Sequence, residues 1–144
     1  MVRPAVLING LPQGSVLAPT LFNLYMSDFP QIQGSFYQYA DDIAILTQAP
    51  SIQEAEDILN EDLEVVENYL IKWRLTPNPQ KSIVTAFHLS NRDANHPIQA
   101  KFAGSILSHD PHPKYLGVTL DRTLTYKPHL VKLGSKIRTR TNII

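Results

Sequence analysis

The chain has no cysteine, which excludes disulfides and thiolate metal sites and is compatible with a reducing compartment. No apolar run approaches the roughly 20 residues that a membrane-spanning helix needs. No basic-then-apolar segment opens the chain as a secretion signal would, so an intracellular location is expected. Charge of neither sign prevails, with 13 Lys or Arg against 13 Asp or Glu, and a zero balance argues weakly against a nucleic-acid partner. Repeats and low-complexity tracts are lacking too. What is there is an ordinary globular composition, 43% hydrophobic and 18% charged, in 144 residues, about one domain's worth of chain.

The neutral balance hides an asymmetry. From Lys114 onward there are seven Lys or Arg against one acid, Asp121, whereas residues 1–113 carry six basic and twelve acidic residues. The tail is therefore +6 and the rest −6. Charge alone leaves two readings of the tail open: a solvated helix face, or a segment that grips phosphates.

Hydrophobic periodicity divides the chain into elements. The loop GLPQGSVLAP leads into residues 20–29, where Leu21, Leu24 and Tyr25 form one helical stripe and Phe22, Met26 and Phe29 a second. Two stripes predict a helix buried on two sides. Residues 36–40 and 43–47 read as the strands of a hairpin joined through Asp41-Asp42. Ser51 and Glu54 form a capping box, and Ile52, Ala55, Ile58, Leu59, Leu63, Val66, Leu70 and Trp73 mark a long amphipathic helix over residues 52–74. Its other face, with Glu54, Glu56, Asp57, Glu61, Glu64 and Glu67, reads as solvated. Residues 81–89, 101–107 and 115–120 read as strands, and Pro128 suits the first turn of a helix running to the chain's end. The expected fold is α+β: a small antiparallel sheet carrying the Asp41-Asp42 hairpin, with the helices of residues 20–29 and 51–74 on one face.

Asp41-Asp42 carries the chemical question. Asp-Asp is not the pair a tight hairpin turn prefers, because neither residue takes positive φ as cheaply as glycine. Two adjacent carboxylates repel when ionised, and a hard cation such as Mg²⁺ relieves that repulsion. Two such ions about 3.5–4 Å apart can activate a 3′-hydroxyl and stabilise leaving pyrophosphate. Taken alone, the pair reads as a solvated polar turn. The loop Leu11-Pro12-Gln13-Gly14-Ser15 before a helix offers small residues and an amide where a base or sugar would approach. The five histidines, His88, His96, His109, His112 and His129, form no ligand constellation and read as surface or loop residues.

GLPQGSVLAPTLFNLYMSDFP, then YADDIAIL, a long amphipathic helix, Trp73, Asn78, Lys81-Ser82 and KYLGVTLDRTLTYKPHL, in that order, resemble the reverse transcriptase of non-LTR retrotransposons, the jockey-like group in particular. The resemblance runs over residues 10–136. It implies an RNA-directed DNA polymerase acting on an RNA template, a DNA primer and deoxynucleoside triphosphates, with Mg²⁺ or Mn²⁺ as cofactor, no membrane partner, and an intracellular, nuclear site of action. Asp41 and Asp42 match the metal-ligating acids of the YADD box, and Gln13 and Gly14 the loop that meets the incoming nucleotide. Lys81 matches a palm lysine proposed to protonate the departing pyrophosphate, although Ser82 stands where the group more often has Thr. Tyr115, Leu116 and Gly117 match a primer-positioning hairpin, and Lys132, Lys136, Arg138 and Arg140 the start of a basic thumb helix. The implied division is a partial palm over residues 1–113 and the primer hairpin with the early thumb over residues 114–144.

One departure bears on activity. The family's preceding palm motif supplies a further catalytic aspartate on a strand beside the YADD hairpin, and MVRPAVLIN contains no acid. Asp41 and Asp42 are thus expected to be part of a two-metal site, with an open strand edge beside them. An RNA-binding module without catalysis, descended from the same ancestor, is the alternative. The purified 144-residue chain is expected to show no Mg²⁺-dependent primer extension; cDNA synthesis that disappears in Asp41→Ala would overturn this.

Overall fold

Residues 14–93 and 96–141 are described by the computed structural model, in two units, residues 1–31 and 32–144. In the first, helix α1 (Ala18–Tyr25) has Pro19 in its first turn, where a missing N–H costs nothing. It begins earlier and ends sooner than residues 20–29, with Met26 as its C-cap. The Ser27 hydroxyl donates to the carbonyl of Leu24 at 2.7 Å, occupying one terminal acceptor. Burial on two sides is not observed: Leu21 and Leu24 are exposed, and the buried residue of this segment is Met26, just past the helix. Two apolar stripes call for two partners, and the described residues leave that of Leu21 and Leu24 uncovered.

In the second unit, β1 (Ser35–Tyr39) pairs antiparallel with β2 (Asp42–Leu46), Tyr39 opposite Asp42 and Ser35 opposite Leu46. The turn is therefore Ala40-Asp41, one residue earlier than expected, and Asp42 belongs to the ladder. Ala40 permits this by adopting φ +52°, a left-handed conformation that costs a non-glycine residue about 1 kcal/mol. Pleat alternation puts Tyr37, Tyr39, Asp42 and Leu46 on one face, all exposed, and half-buried Phe36 and Ile45 on the other.

Helix α2 (Ile52–Lys72) starts where the Ser51 hydroxyl accepts from the Glu54 N–H at 3.2 Å. It closes by the Arg74 N–H donating to Ile71 and the Leu75 N–H to Leu70, with Arg74 at φ +56°. This is a Schellman closure made without glycine. Leu63, Val66 and Tyr69 of α2 form the core with Val84, Ile98, Ala100, Phe102 and Leu107.

The acid-bearing side of α2 is not simply solvated. Glu56, only 5% exposed, accepts from the Gln99 N–H at 2.7 Å and lies 3.4 Å from His96 Nε2. One turn on, Asn60 donates to the Gln99 carbonyl and accepts from the Lys101 N–H, and Glu67 accepts from the Ala103 N–H. Glu56, Asn60 and Glu67 lie at the border of the apolar stripe, where a side chain reaches the neighbouring backbone. Glu54, Asp57, Glu61 and Glu64 are exposed as expected.

The remaining strands are two residues long: β3 (Ile83–Val84), β4 (Lys101–Phe102), β5 (Ser105–Ile106), β6 (Ser108–His109), β7 (Lys114–Tyr115) and β8 (Val118–Thr119). They pair as β3 with β6, β4 with β5 and β7 with β8, so with β1–β2 the described residues form four two-stranded sheets in place of one small antiparallel sheet, and β3–β6 is parallel. The expected strand over 81–89 shrinks to Ile83–Val84 because that is where a partner runs alongside. Those over 101–107 and 115–120 are each a hairpin. Ala103 and Gly104 (φ +49° and +73°), and Leu116 and Gly117 (φ +46° and +88°), supply the paired left-handed residues of a tight two-residue turn. Helix α3 (Lys127–Thr141) follows, with Pro128 in its first turn.

Glu56 itself is buried, and removing its carboxylate takes the acceptor from the part-buried Gln99 N–H, so Glu56→Ala is expected to lower unfolding free energy by about 1–3 kcal/mol. Glu64→Ala, on the exposed side, should stay within about 0.5 kcal/mol. Urea unfolding of both variants checks the contrast, and equal effects would return this face to solvent.

Candidate active site and nucleic-acid face

The tip of the β1–β2 hairpin presents two consecutive carboxylates on a ladder of five pairs. Both Asp41 and Asp42 are exposed, and neither carboxylate has a hydrogen bond or ion pair among the described residues. Their oxygens are free to ligate a hard divalent cation, which typically takes one or two carboxylates together with substrate phosphates. Among the described residues no group of three or more His, Asp or Glu is gathered as a metal site. The donor type at the tip suits a hard cation such as Mg²⁺ or Mn²⁺ in kind.

The other sequence-selected residues lie on other elements. Gln13 lies outside the described residues. Gly14 has φ +87° with open space where a Cβ would point, so the loop before α1 needs glycine for its backbone rather than for clearance. Lys81 is exposed on a turn held by Asn78, whose carbonyl accepts from the Lys81 N–H at 3.1 Å and from the Ser82 hydroxyl at 3.1 Å. No hydrogen bond or ion pair joins Lys81 to Asp41 or Asp42 among the described residues. Ser82 thus fixes the turn, a task a threonine hydroxyl performs equally.

Tyr115 pairs with Val118 across the β7–β8 hairpin, and Leu116-Gly117 is its turn. The hairpin continues into α3 through a knot around Asp121. This carboxylate is 9% exposed and accepts from the Thr123 hydroxyl at 2.9 Å, the Thr125 N–H at 3.2 Å, the Thr125 hydroxyl at 3.0 Å and the Tyr126 N–H at 2.8 Å. Partial burial by itself raises its pKa, but those hydrogen bonds to the ionised form outweigh it and hold the carboxyl below the ordinary aspartate value. Arg122 is turned the other way, its guanidinium bonded to the carbonyls of His88 and Ser90 and to Asn91.

Helix α3 contains no acid. Lys132, Lys136 and Arg140 recur every fourth residue and so share one stripe. The stripe begins against the hairpin: the Thr119 N–H donates to His129 Nδ1 at 3.3 Å, and Lys132 Nζ reaches the Thr119 hydroxyl at 3.4 Å. His129 is therefore a half-buried docking residue, not a loop residue. Lys136 and Arg140 continue the stripe exposed, and Arg138 lies on another side of the helix. Arg138 and Arg140 also fall in the last turn, where the helix dipole favours cations.

An acidic hairpin tip, a lysine on a turn, and a glycine-turned hairpin leading into an acid-free helix occur here in the chain order of a polymerase palm, and residues 3–120 match the family "Reverse transcriptase (RNA-dependent DNA polymerase)". The chain belongs to the reverse transcriptase family. It is 39% identical over 140 residues to the RNA-directed DNA polymerase from mobile element jockey of Drosophila funebris, covering 91% of this chain and 15% of that protein. The corresponding jockey polymerase of Drosophila melanogaster is 34% identical with the same coverage. The probable RNA-directed DNA polymerase from transposon BS of Drosophila melanogaster is 37% identical over 138 residues, 88% of this chain and 15% of that protein. The jockey-like, non-LTR branch expected from the motifs is thus the one found, and the chain spans about 15% of the length of these relatives. No solved structure matches the chain. No helix among the described residues is long and apolar enough to cross a membrane.

The sequence reading passed over Asp62, took Glu56 as solvated and gave Asp121 no structural task. Asp62 had a signal: it stands in the middle of the stripe set by Ala55, Leu59 and Val66, where an acid is out of place unless something donates to it. Because the Asp121 pKa is lower folded than unfolded, its contribution to stability is complete above the unfolded value and is lost as pH falls through the folded one. Asp121→Asn should accordingly be less stable than the unsubstituted chain at neutral pH, with the gap closing in acid below that folded pKa; thermal unfolding from pH 7 to pH 2 checks this.

Proposed function

We propose that this chain is a working part of an RNA-directed DNA polymerase: it presents the metal-holding acids of nucleotidyl transfer to a primer 3′-hydroxyl. Residues 1–113 contribute to the palm, and residues 114–144 form the primer-side hairpin and the start of the thumb. The observation that supports this most is the pair of free, exposed carboxylates at the tip of a regular hairpin, within a chain of reverse transcriptase ancestry. Asp41 and Asp42 are the ligands. A divalent cation bound there supplies charge neutralisation for the triphosphate and activation of the attacking hydroxyl.

The chain's own groups do the rest. Lys81, exposed and without an ion pair among the described residues, is free to deliver a proton to departing pyrophosphate. Gln13 and Gly14 meet the incoming nucleotide, where glycine lets a base pair approach the backbone. Tyr115, Leu116 and Gly117 hold the primer end, and Lys136 and Arg140, with Lys132 and Arg138, follow the phosphates of the RNA template and DNA primer. The non-catalytic RNA-binding reading draws on α3 alone, which binds backbone whether or not chemistry follows.

The test is to exchange this chain for the matching stretch of a jockey-type polymerase and to follow Mg²⁺-dependent primer extension on RNA. The exchange should keep activity. Asp41→Ala within it should lose more than about 100-fold, the upper range for groups that merely support a metal ligand, and Lys81→Ala about 10²- to 10⁴-fold. A folded, RNA-binding chimera without extension would leave the binding reading in its place.

A further inference from the structure

We propose that Asp62 is the positioning residue of the Asp41-Asp42 hairpin, clamping its base to α2 through the backbone of Gln33 and Gly34. Asp62 is 2% exposed. One oxygen accepts from the Gln33 N–H at 2.8 Å and the other from the Gly34 N–H at 2.8 Å. Hydrogen bonds to an ionised acceptor are roughly twice as strong as neutral ones, and these two fix the last two residues before β1. Gly34 is shaped to the clamp: a Cβ there would lie 2.8 Å from Asp62 Oδ2 and 2.9 Å from the Leu46 carbonyl oxygen. The second strand is held to the same helix at the same end of the ladder, where the Thr47 hydroxyl donates to the Ala55 carbonyl at 3.3 Å. Gln33 adds a side-chain bond to Glu61 at 2.6 Å, with both residues exposed.

The geometry makes the base decisive for the tip. Tyr37, Tyr39 and Leu46 are about half or more exposed, so this face of the hairpin offers little packing against a swing, and half-buried Phe36 and Ile45 lie on the other face. Five residues at about 3.3 Å each place the tip about 17 Å from the clamp. A tilt of about 10° at the base then moves the carboxylates by about 3 Å, against the roughly 0.5 Å that a catalytic group tolerates. Asp62 touches no reacting atom in this arrangement; it acts through the ladder. The catalytic meaning of the clamp rests on the polymerase reading, whereas the clamp itself does not.

Nuclear magnetic resonance on the whole 144-residue chain separates the two. In the unsubstituted chain, Mn²⁺ should broaden the amides of residues 39–43, and Asp41→Ala should abolish this; failure here sinks the metal reading and leaves the clamp standing. For the clamp, residual dipolar couplings of β1–β2 and of α2 should fit one alignment in the unsubstituted chain. In Asp62→Asn and in Gly34→Ala, hairpin couplings should fall about twofold relative to those of α2 while cross-strand contacts persist. Phe102→Ala, which weakens the core under α2, should lower Tm without changing that ratio. One common alignment in both clamp variants would overturn the proposal. So would loss of the ladder itself in both, since a positioning residue leaves the ladder intact.

Discussion

Side chains of α2 supply the hydrogen-bond acceptors that the surrounding strands are too short to provide for one another. A two-residue strand satisfies few of its own amides, and a buried amide without a partner costs about 1–3 kcal/mol. Glu56, Asn60 and Glu67 receive the backbone of residues 99–103, and Asp62 receives the start of β1. The helix is thus both the apolar floor of the core and the polar edge to which two separate segments are tied. The metal-holding acids of the proposal hang from one of those ties.

Function is divided along the chain in the same way. The acids stand at the end of a hairpin whose outer face is open, and the bases lie along α3, fixed by His129 and Lys132 to Thr119. The Asp121 carboxylate closes the turn that leads into α3 by accepting from Thr123, Thr125 and Tyr126. Negative and positive groups are therefore carried by separate elements, a hairpin tip and a helix. A metal-phosphate site and a backbone-tracking surface call for that separation, because paired with one another they would be neutralised before substrate arrived.

Much of this was legible in the sequence, and the failures have physical causes. The span of α2 was readable from its period and its Ser51 cap, within two residues. The β1–β2 hairpin was readable too, but its turn was displaced because Ala40, not an aspartate, takes the left-handed conformation. In AGS and LGV the glycine is the second residue of a tight turn, a signal present in the sequence and passed over in favour of continuous apolar runs. Parallel pairing of β3 with β6 joins residues about 25 apart, and nothing local announces such a contact. The acids of the site came from motif order alone: chemistry at Asp41-Asp42 has no pattern of its own. Asp62 and Glu56 were hidden because an acid on a helix looks solvated until the backbone that donates to it is known.

The separation along the chain between Asp62 and the residues it holds sets an order of assembly. Gly34 precedes Asp62 by 28 residues, while the β1–β2 ladder closes over a two-residue turn. Hairpins zip within microseconds from local contacts, whereas the clamp must wait for a longer loop to close and for a helix to exist. As the chain leaves a ribosome, the hairpin emerges well before its anchor. The acids are formed first and aimed last.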